Sequence, residues 1–416
     1  MPNKKVLLIS YFFPPLGMGG VGRALGLFKY LPEFGYDVIV LTVKDIVYPE
    51  YDYSLLNGLD QSKIVRTGSM DISRIFHLMG IKQSGLASSK AAGLHTYLYY
   101  PDAKRFWNLF ALKAARRILI EQNIAAVITA SPPPSTHLIG LALKRKYNIT
   151  WVADFRDIWF STSIEDSYPT MVQKKYATGI LEKIRISADE IVTVYSNVRD
   201  RIGRGHIIMN GAELECANNW IETESAPKDK LIIGVLGTIN KLSPIEPLFK
   251  SISYLIHSAP ELKDKISITH VGRADHEYLS KLINKYPLRD NFISHGYHPR
   301  PQAIQLLSLC DLLYLCSFTG RVFDSLMSGK PVIGAVNDSS NLKSLNSDDM
   351  IALVKNYAQG QVFMPNEEPE MAKYIYKLFE AKLEARLVSK FGLENAERYS
   401  TKEMSRQYAE LLNKMT

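Results

Sequence analysis

The sequence predicts an α/β protein built as two doubly wound, parallel-sheet domains. Three observations lead there. The chain has 416 residues, beyond the roughly 250–300 at which a single core stops growing. Buried-strand runs alternate with helical stretches through both halves, and a polar, aperiodic stretch separates the two series.

The first series opens at residues 5–10 (KVLLIS), whose leucine-rich and β-branched run reads as a strand covered on both faces. A Pro/Gly loop, a helical stretch to about residue 34 and a second apolar run at 38–42 complete a βαβ pattern. Further strands are predicted at 125–129, 151–153 and 191–194, with helices near 105–122, 134–147 and 170–188. Residues 213–230, just after Asn210-Gly211, mix acids, Ala, Asn and a Pro without period and read as a linker. The second series predicts strands at 231–236, 266–271, 292–294, 312–315 and 331–334, and helices near 244–257, 275–285, 300–309 and 321–328. Two amphipathic helices are expected at 367–387 and 401–414. The expected domains are therefore 1–212 and 231–395, followed by a terminal segment at 396–416.

With 46% hydrophobic and 22% charged residues the chain can bury a core and stay in solution, which excludes disorder. No apolar run reaches the roughly 18–20 residues that span a bilayer, and MPNKKVLLIS leads into a polar turn without a secretory cleavage site, so a cytoplasmic protein is expected. Cys216, Cys310 and Cys316 have no CxxC spacing and are expected as buried free thiols. The net charge of +8 is concentrated in residues 1–220, which hold about 26 Lys and Arg against 19 Asp and Glu. That asymmetry suits an anionic membrane face or a phosphorylated acceptor; nucleic acid is the rival, but no recognition-helix, RRM or zinc-finger pattern supports it.

Gly17, Gly19 and Gly22 form a GxGxxG. Some six residues, including Pro14 and Pro15, separate it from the preceding strand, which departs from a dinucleotide turn. A glycine-rich loop entering a helix still offers an anion nest, with Arg23 adding a fixed charge. His137, at the end of Ser131-Pro132-Pro133-Pro134-Ser135-Thr136, falls at the sheet's carboxyl edge, where it is either a proton carrier or a capping residue. Asp154-Phe155-Arg156-Asp157 lies at the next strand end, and either chemistry or a structural Arg–carboxylate network accounts for its ions. In the second half, Gly237 and Lys241 follow the first strand. The stretch from Gly320 to Pro331, with Arg321 and Asp324, opens a helix suited to phosphate and ribose. No DxD, HExxH or Walker loop is present, so neither a metal-clamped diphosphate nor P-loop chemistry is indicated. His295-Gly296-Tyr297-His298 reads as a loop.

Taken in order, Phe13-Pro14-Pro15, Gly19-Gly20-Val21-Gly22-Arg23, Pro101-Asp102 with Trp107, the Ser131–His137 loop, Asp154 to Trp159, Asn210-Gly211 and the Gly320–Pro331 stretch resemble the family 4 glycosyltransferases of GT-B fold, especially bacterial enzymes of surface-polysaccharide assembly. The resemblance covers nearly the whole chain. It implies two Rossmann-like domains facing a central cleft and a last helix that returns to the first domain. It also implies metal-independent, usually retaining transfer, with the nucleotide sugar as a substrate and no further cofactor. In that scheme Gly19, Gly20, Gly237, Lys241, Gly320, Arg321 and Asp324 serve the donor. Arg23, Ser131, Asp154 and Arg156 serve a glycan or lipid-linked acceptor, and His137 and Asp157 act in catalysis by orienting it. Asp324 stands for the second Glu of the family's E-x7-E pattern, and Cys316 occupies the position of the first.

Residues 97–117 mix aromatics with Lys and Arg on a helical period, which fits either docking on an anionic bilayer or core packing by Phe106, Trp107 and Phe110. Alternatives to a transferase are a sugar-nucleotide epimerase or hydrolase of the same plan, a non-catalytic binding homologue, and a nicotinamide oxidoreductase.

Overall fold

The computed structural model describes residues 3–17, 20–81, 100–156, 168, 170–220, 227–318, 320–336, 348–386 and 397–416. They form two compact units, Met1–Asn210 with Thr401–Thr416, and Gly211–Ser400.

In the first unit, seven strands lie in the order β3-β2-β1-β4-β5-β6-β7, and every pairing is parallel. They are β1 (Lys4–Ser10), β2 (Tyr36–Val43), β3 (Ile64–Thr67), β4 (Ile124–Ser131), β5 (Thr150–Phe155), β6 (Glu190–Thr193) and β7 (His206–Ile207). The helices are α1 (Gly22–Tyr30), α2 (Ile72–Leu78), α3 (Asn108–Gln122), α4 (Thr136–Tyr147), α5 (Met171–Ser187) and α6 (Ser196–Ile202). Parallel strands need covering on both faces, and β1 shows why its run is apolar throughout: Leu7 and Ile9 enter one core, Val6 and Leu8 the other. Close seating of α4 depends on Gly140, where an added Cβ would stand 2.3 Å from the Trp151 ring of β5.

The second unit is a six-stranded parallel sheet in the order β10-β9-β8-β11-β12-β13. Its strands are β8 (Leu231–Leu236), β9 (Ile266–Val271), β10 (Phe292–Ser294), β11 (Leu312–Leu315), β12 (Val332–Ala335) and β13 (Gly360–Phe363). Helices α7 (Glu246–Ser258), α8 (His276–Lys285), α9 (Arg300–Ser308), α10 (Arg321–Met327), α11 (Asp348–Asn356) and α12 (Glu368–Leu383) cover it. The last helix, α13 (Thr401–Asn413), packs on α1 in the first unit, burying Met404, Tyr408, Leu411 and Leu412 with Ala24, Leu27 and Phe28.

Each predicted strand and helix has a counterpart. The structure adds β3, β7 and β13 and helices α2, α6 and α11, which the periodicity did not suggest. Within the stretch read as a linker, Leu214–Trp220 forms a 3-10 helix packed on α9.

Candidate functional site

In each sheet the chain reverses its direction of strand addition at one place, between β1 and β4 in the first unit and between β8 and β11 in the second. Such switch points open a crevice at the strands' carboxyl ends, because the adjoining loops diverge there.

At the first switch point the loop after β1 carries Gly20, the loop after β4 carries Ser131 to Ser135, and β5 brings Asp154 and Arg156 beside them. Arg156 Nη1 donates to the Gly20 carbonyl at 2.7 Å, and the Ser131 hydroxyl donates to the Asp154 carbonyl at 3.3 Å. Four of the residues assigned to this edge therefore converge. Gly19 and Asp157 lie outside the described residues.

Arg23 is turned inward. Its Nε donates to Asp154 Oδ2 at 2.8 Å, its Nη2 to the Tyr408 hydroxyl at 2.7 Å and its Nη1 to Asn210 Oδ1 at 3.2 Å. Burial works against its charge, yet Asp154 and Tyr408 outweigh that and raise its pKa. The Arg23–Asp154 pair thus ties α1, β5 and the C-terminal helix together, and of the two readings of the Asp154 cluster the geometry of this pair is that of the structural network.

His137 is fully buried on the first turn of α4, its ring 4.2 Å from that of Phe155. Nδ1 lies 2.9 Å from Thr129 Oγ1, which accepts a hydrogen bond from Trp151 Nε1 at 2.8 Å. An indole nitrogen only donates, so the Thr129 hydroxyl accepts from Trp151 and bridges it to the His137 ring. Burial lowers the His137 pKa to about 3, leaving a neutral ring at physiological pH. These contacts orient the start of α4.

Pro101-Asp102 and Trp107 build the wall of this edge. Asp102 accepts from the Ser135 amide at 2.7 Å, the Ser135 hydroxyl at 3.0 Å and the Lys104 amide at 2.8 Å. Burial raises its pKa while those bonds pull the other way. Beside it, buried Asp71 accepts from Tyr11 at 2.7 Å and pairs with Lys104 at 3.2 Å, and the Lys104 ammonium stands 5.3 Å over the Tyr11 ring. Trp107 is core and donates to Thr67 at 2.8 Å, whereas Leu109 and Phe110 are exposed.

At the second switch point Gly237 follows β8 with φ of 119° and Gly272 follows β9 with φ of 151°. A Cβ on Gly272 would stand 1.9 Å from the Gly237 carbonyl oxygen, so only glycine permits this approach. Buried His270 fixes the same turn: its Nε2 lies 2.8 Å from the Gly237 carbonyl and its Nδ1 2.8 Å from Ser294 Oγ. The carbonyl can only accept, so Nε2 carries the proton. Burial lowers the His270 pKa.

Across the crevice, Gly320 caps α10 and Arg321 opens it, with the Arg321 Cγ 3.7 Å from where a Gly237 Cβ would be. The loops after β8 and β11 thus meet. Lys241 is exposed in the turn that Asn240 closes by accepting from Leu242 and Ser243 amides, both at 2.8 Å. Asp324 is buried. Arg300 donates to its Oδ1 from Nε at 2.9 Å and from Nη2, while Arg321 reaches Oδ2 at 3.4 Å. Burial opposes the charge of Arg300, but Asp324 and Glu213 raise its pKa. Arg300 was not among the residues the sequence singled out, and it now takes the carboxylate assigned to a ribose. Burial pushes the Cys316 thiol up, so it stays protonated.

No family model matches the sequence, nor does any curated protein sequence. Solved structures do resemble it over their full length. A sucrose-phosphate synthase from Thermosynechococcus elongatus superposes with a TM-score of 0.63 at 14% identity, covering 99% of both chains. Anabaena HepE in complex with UDP gives 0.62 at 13% identity, over 99% of this chain and 100% of that one. The lipopolysaccharide outer core galactosyltransferase WaaB gives 0.55 at 11% identity, over 98% and 99%. The fold is GT-B. Within this GT-B chain no described helix is long and apolar enough to cross a membrane, and no described cluster of His, Cys, Asp and Glu could hold a metal ion.

Proposed function

We propose that this chain is a glycosyltransferase that moves a sugar from a nucleotide-sugar donor to a hydroxyl of a glycan or lipid-linked acceptor in polysaccharide assembly. The observation that carries the reading is the meeting of Gly237 and Arg321 across the second switch point, where a glycine turn and a partly exposed guanidinium flank one crevice. Structures of the same fold include one solved with UDP and one named as a galactosyltransferase.

In this reading Arg321 and Lys241 face the donor's diphosphate, with Gly237 and Gly320 allowing its close approach. As the bond from the anomeric carbon to the diphosphate breaks, charge grows on the leaving group, and preoriented cations stabilise it without rearranging. The acceptor oxygen forms the new bond from the face the diphosphate leaves, its proton passing to the departing phosphate, so configuration is retained and no metal takes part. Arg156 and Ser131 serve the acceptor, Gly20 serves the donor, and the role left to Asp157 is to orient the acceptor hydroxyl. Neutral His137 acts by positioning α4. Basic residues of the first unit favour an anionic membrane surface on the inner face, where a lipid-linked acceptor would be met.

A second reading is a sugar-nucleotide epimerase or hydrolase, favoured by Cys316 and by the engagement of Asp324 with Arg300, which leave the donor sugar short of acidic partners. The two separate in one assay that follows nucleoside diphosphate release from UDP-, GDP-, ADP- and dTDP-sugars with and without glycan and lipid-phosphate acceptors. Release that depends on acceptor, reduced at least 100-fold in Arg321→Ala, is the expected result. Release at equal rate without acceptor would assign a hydrolase, and conversion of the donor to an epimeric sugar nucleotide without net release would assign an epimerase.

A further inference from the structure

The first unit holds a recess of about 310 Å³ between α3 and α4 that no step above uses. Leu109, Leu112, Leu138 and Ile139 make its walls, and Asn108, Lys113 and Arg116 supply its polar groups. Two polar atoms there, Asn108 Oδ1 and Arg116 Nε, are buried and have no hydrogen-bond partner.

The electrostatics select the occupant. No acid lines the recess, and neither Lys113 nor Arg116 has an ion pair among the described residues, whereas neighbouring Arg117 pairs with Glu121 at 3.4 Å. Residues 109, 112, 113, 116 and 120 share one face of α3 because helical neighbours recur every three to four positions. Leu109 is 65% exposed and Ile120 74%, so the apolar stripe continues past the recess into solvent. A simple anion would leave the leucine walls uncovered, and a neutral chain would leave the cations unmatched.

We propose that this recess binds one hydrocarbon chain ending in phosphate, with the chain along Leu109, Leu112 and Leu138 and the phosphate at Arg116 and Lys113. The inference extends the acceptor half of the proposed function and rests on it for its use: Asn108, which lines the recess, donates from Nδ2 to the Ser135 carbonyl at 2.7 Å and so joins the recess to the acceptor edge.

The test is calorimetry of the full chain with decyl phosphate below its micellar concentration, without any sugar donor. One molecule should bind per chain, and inorganic phosphate and decyl maltoside should each bind at least tenfold more weakly. Arg116→Gln and the surface change Leu109→Glu should each weaken decyl phosphate at least tenfold with unaltered melting temperature. No saturable binding, equal binding of inorganic phosphate, or affinity unchanged in both variants would overturn the proposal. So would sedimentation with phosphatidylglycerol vesicles in the absence of decyl phosphate binding, which would mark a surface attraction only. Because no donor is present, failure here leaves glycosyl transfer untouched, and absence of transfer leaves this site intact.

Discussion

His137 shows at the scale of one residue how environment decides chemistry. A histidine at the carboxyl edge of a parallel sheet suggests proton transfer, yet full burial against Phe155 holds its pKa near 3. The folded value lies below that of the unfolded chain, near 6.5, so between the two the unfolded state binds the extra proton. The stabilising contribution is whole above about pH 6.5 and is lost as pH falls towards 3. Lowering pH from 7.5 to 5 should cost about 2 kcal/mol through this group. His270, also depressed, adds to the slope in the same sense. Urea titrations of wild type and His137→Gln over that range should therefore differ in slope, and parallel pH dependence would show that His137 titrates normally. Asp324 teaches the complementary lesson: its partner Arg300 is 24 positions away, and no local spacing announces the pair.

Between elements, the same buried charges become joints. Arg23 on α1 meets Asp154 on β5 and Tyr408 on α13, so three elements distant in sequence share one guanidinium. Tyr408→Phe removes a hydroxyl that accepts from a charge at 2.7 Å, and should destabilise the first unit by about 1.5–3 kcal/mol, measured by chemical denaturation. A loss below 0.5 kcal/mol would mean that Arg23 finds another acceptor. Central strands were legible because both faces are buried: β1, β4, β5 and β8 are apolar nearly without interruption. The strands that escaped notice, β3, β7 and β13, are three of the four edges, which pair on one side and are partly exposed, so their residues carry little pattern. Likewise Leu214–Trp220 has no amphipathic period, and its order comes from packing on α9.

For the whole molecule, the alternation of strands and helices was enough to predict two parallel sheets, because right-handed crossovers leave few other ways to bury such strands. The alternation puts each strand-to-helix loop at a carboxyl edge, which is why the glycine loops after β1, β8 and β11 could be picked out as candidates, whereas the switch points emerge only from the strand order of the folded sheets. What could not be read was which ions stay in reach of solvent and which are spent inside: Lys241 is exposed and Arg321 partly so, while Arg23, Asp154 and Asp324 are consumed by internal pairs. The proposed transfer requires the second switch point to hold a nucleoside diphosphate between backbone turns and fixed cations. Calorimetry with UDP-, GDP-, ADP-, CMP- and dTDP-sugars measures this most directly. At least one donor should bind, and Arg321→Ala should weaken it tenfold or more without changing the melting temperature; binding of none of them, or equal affinity in Arg321→Ala, would contradict the account.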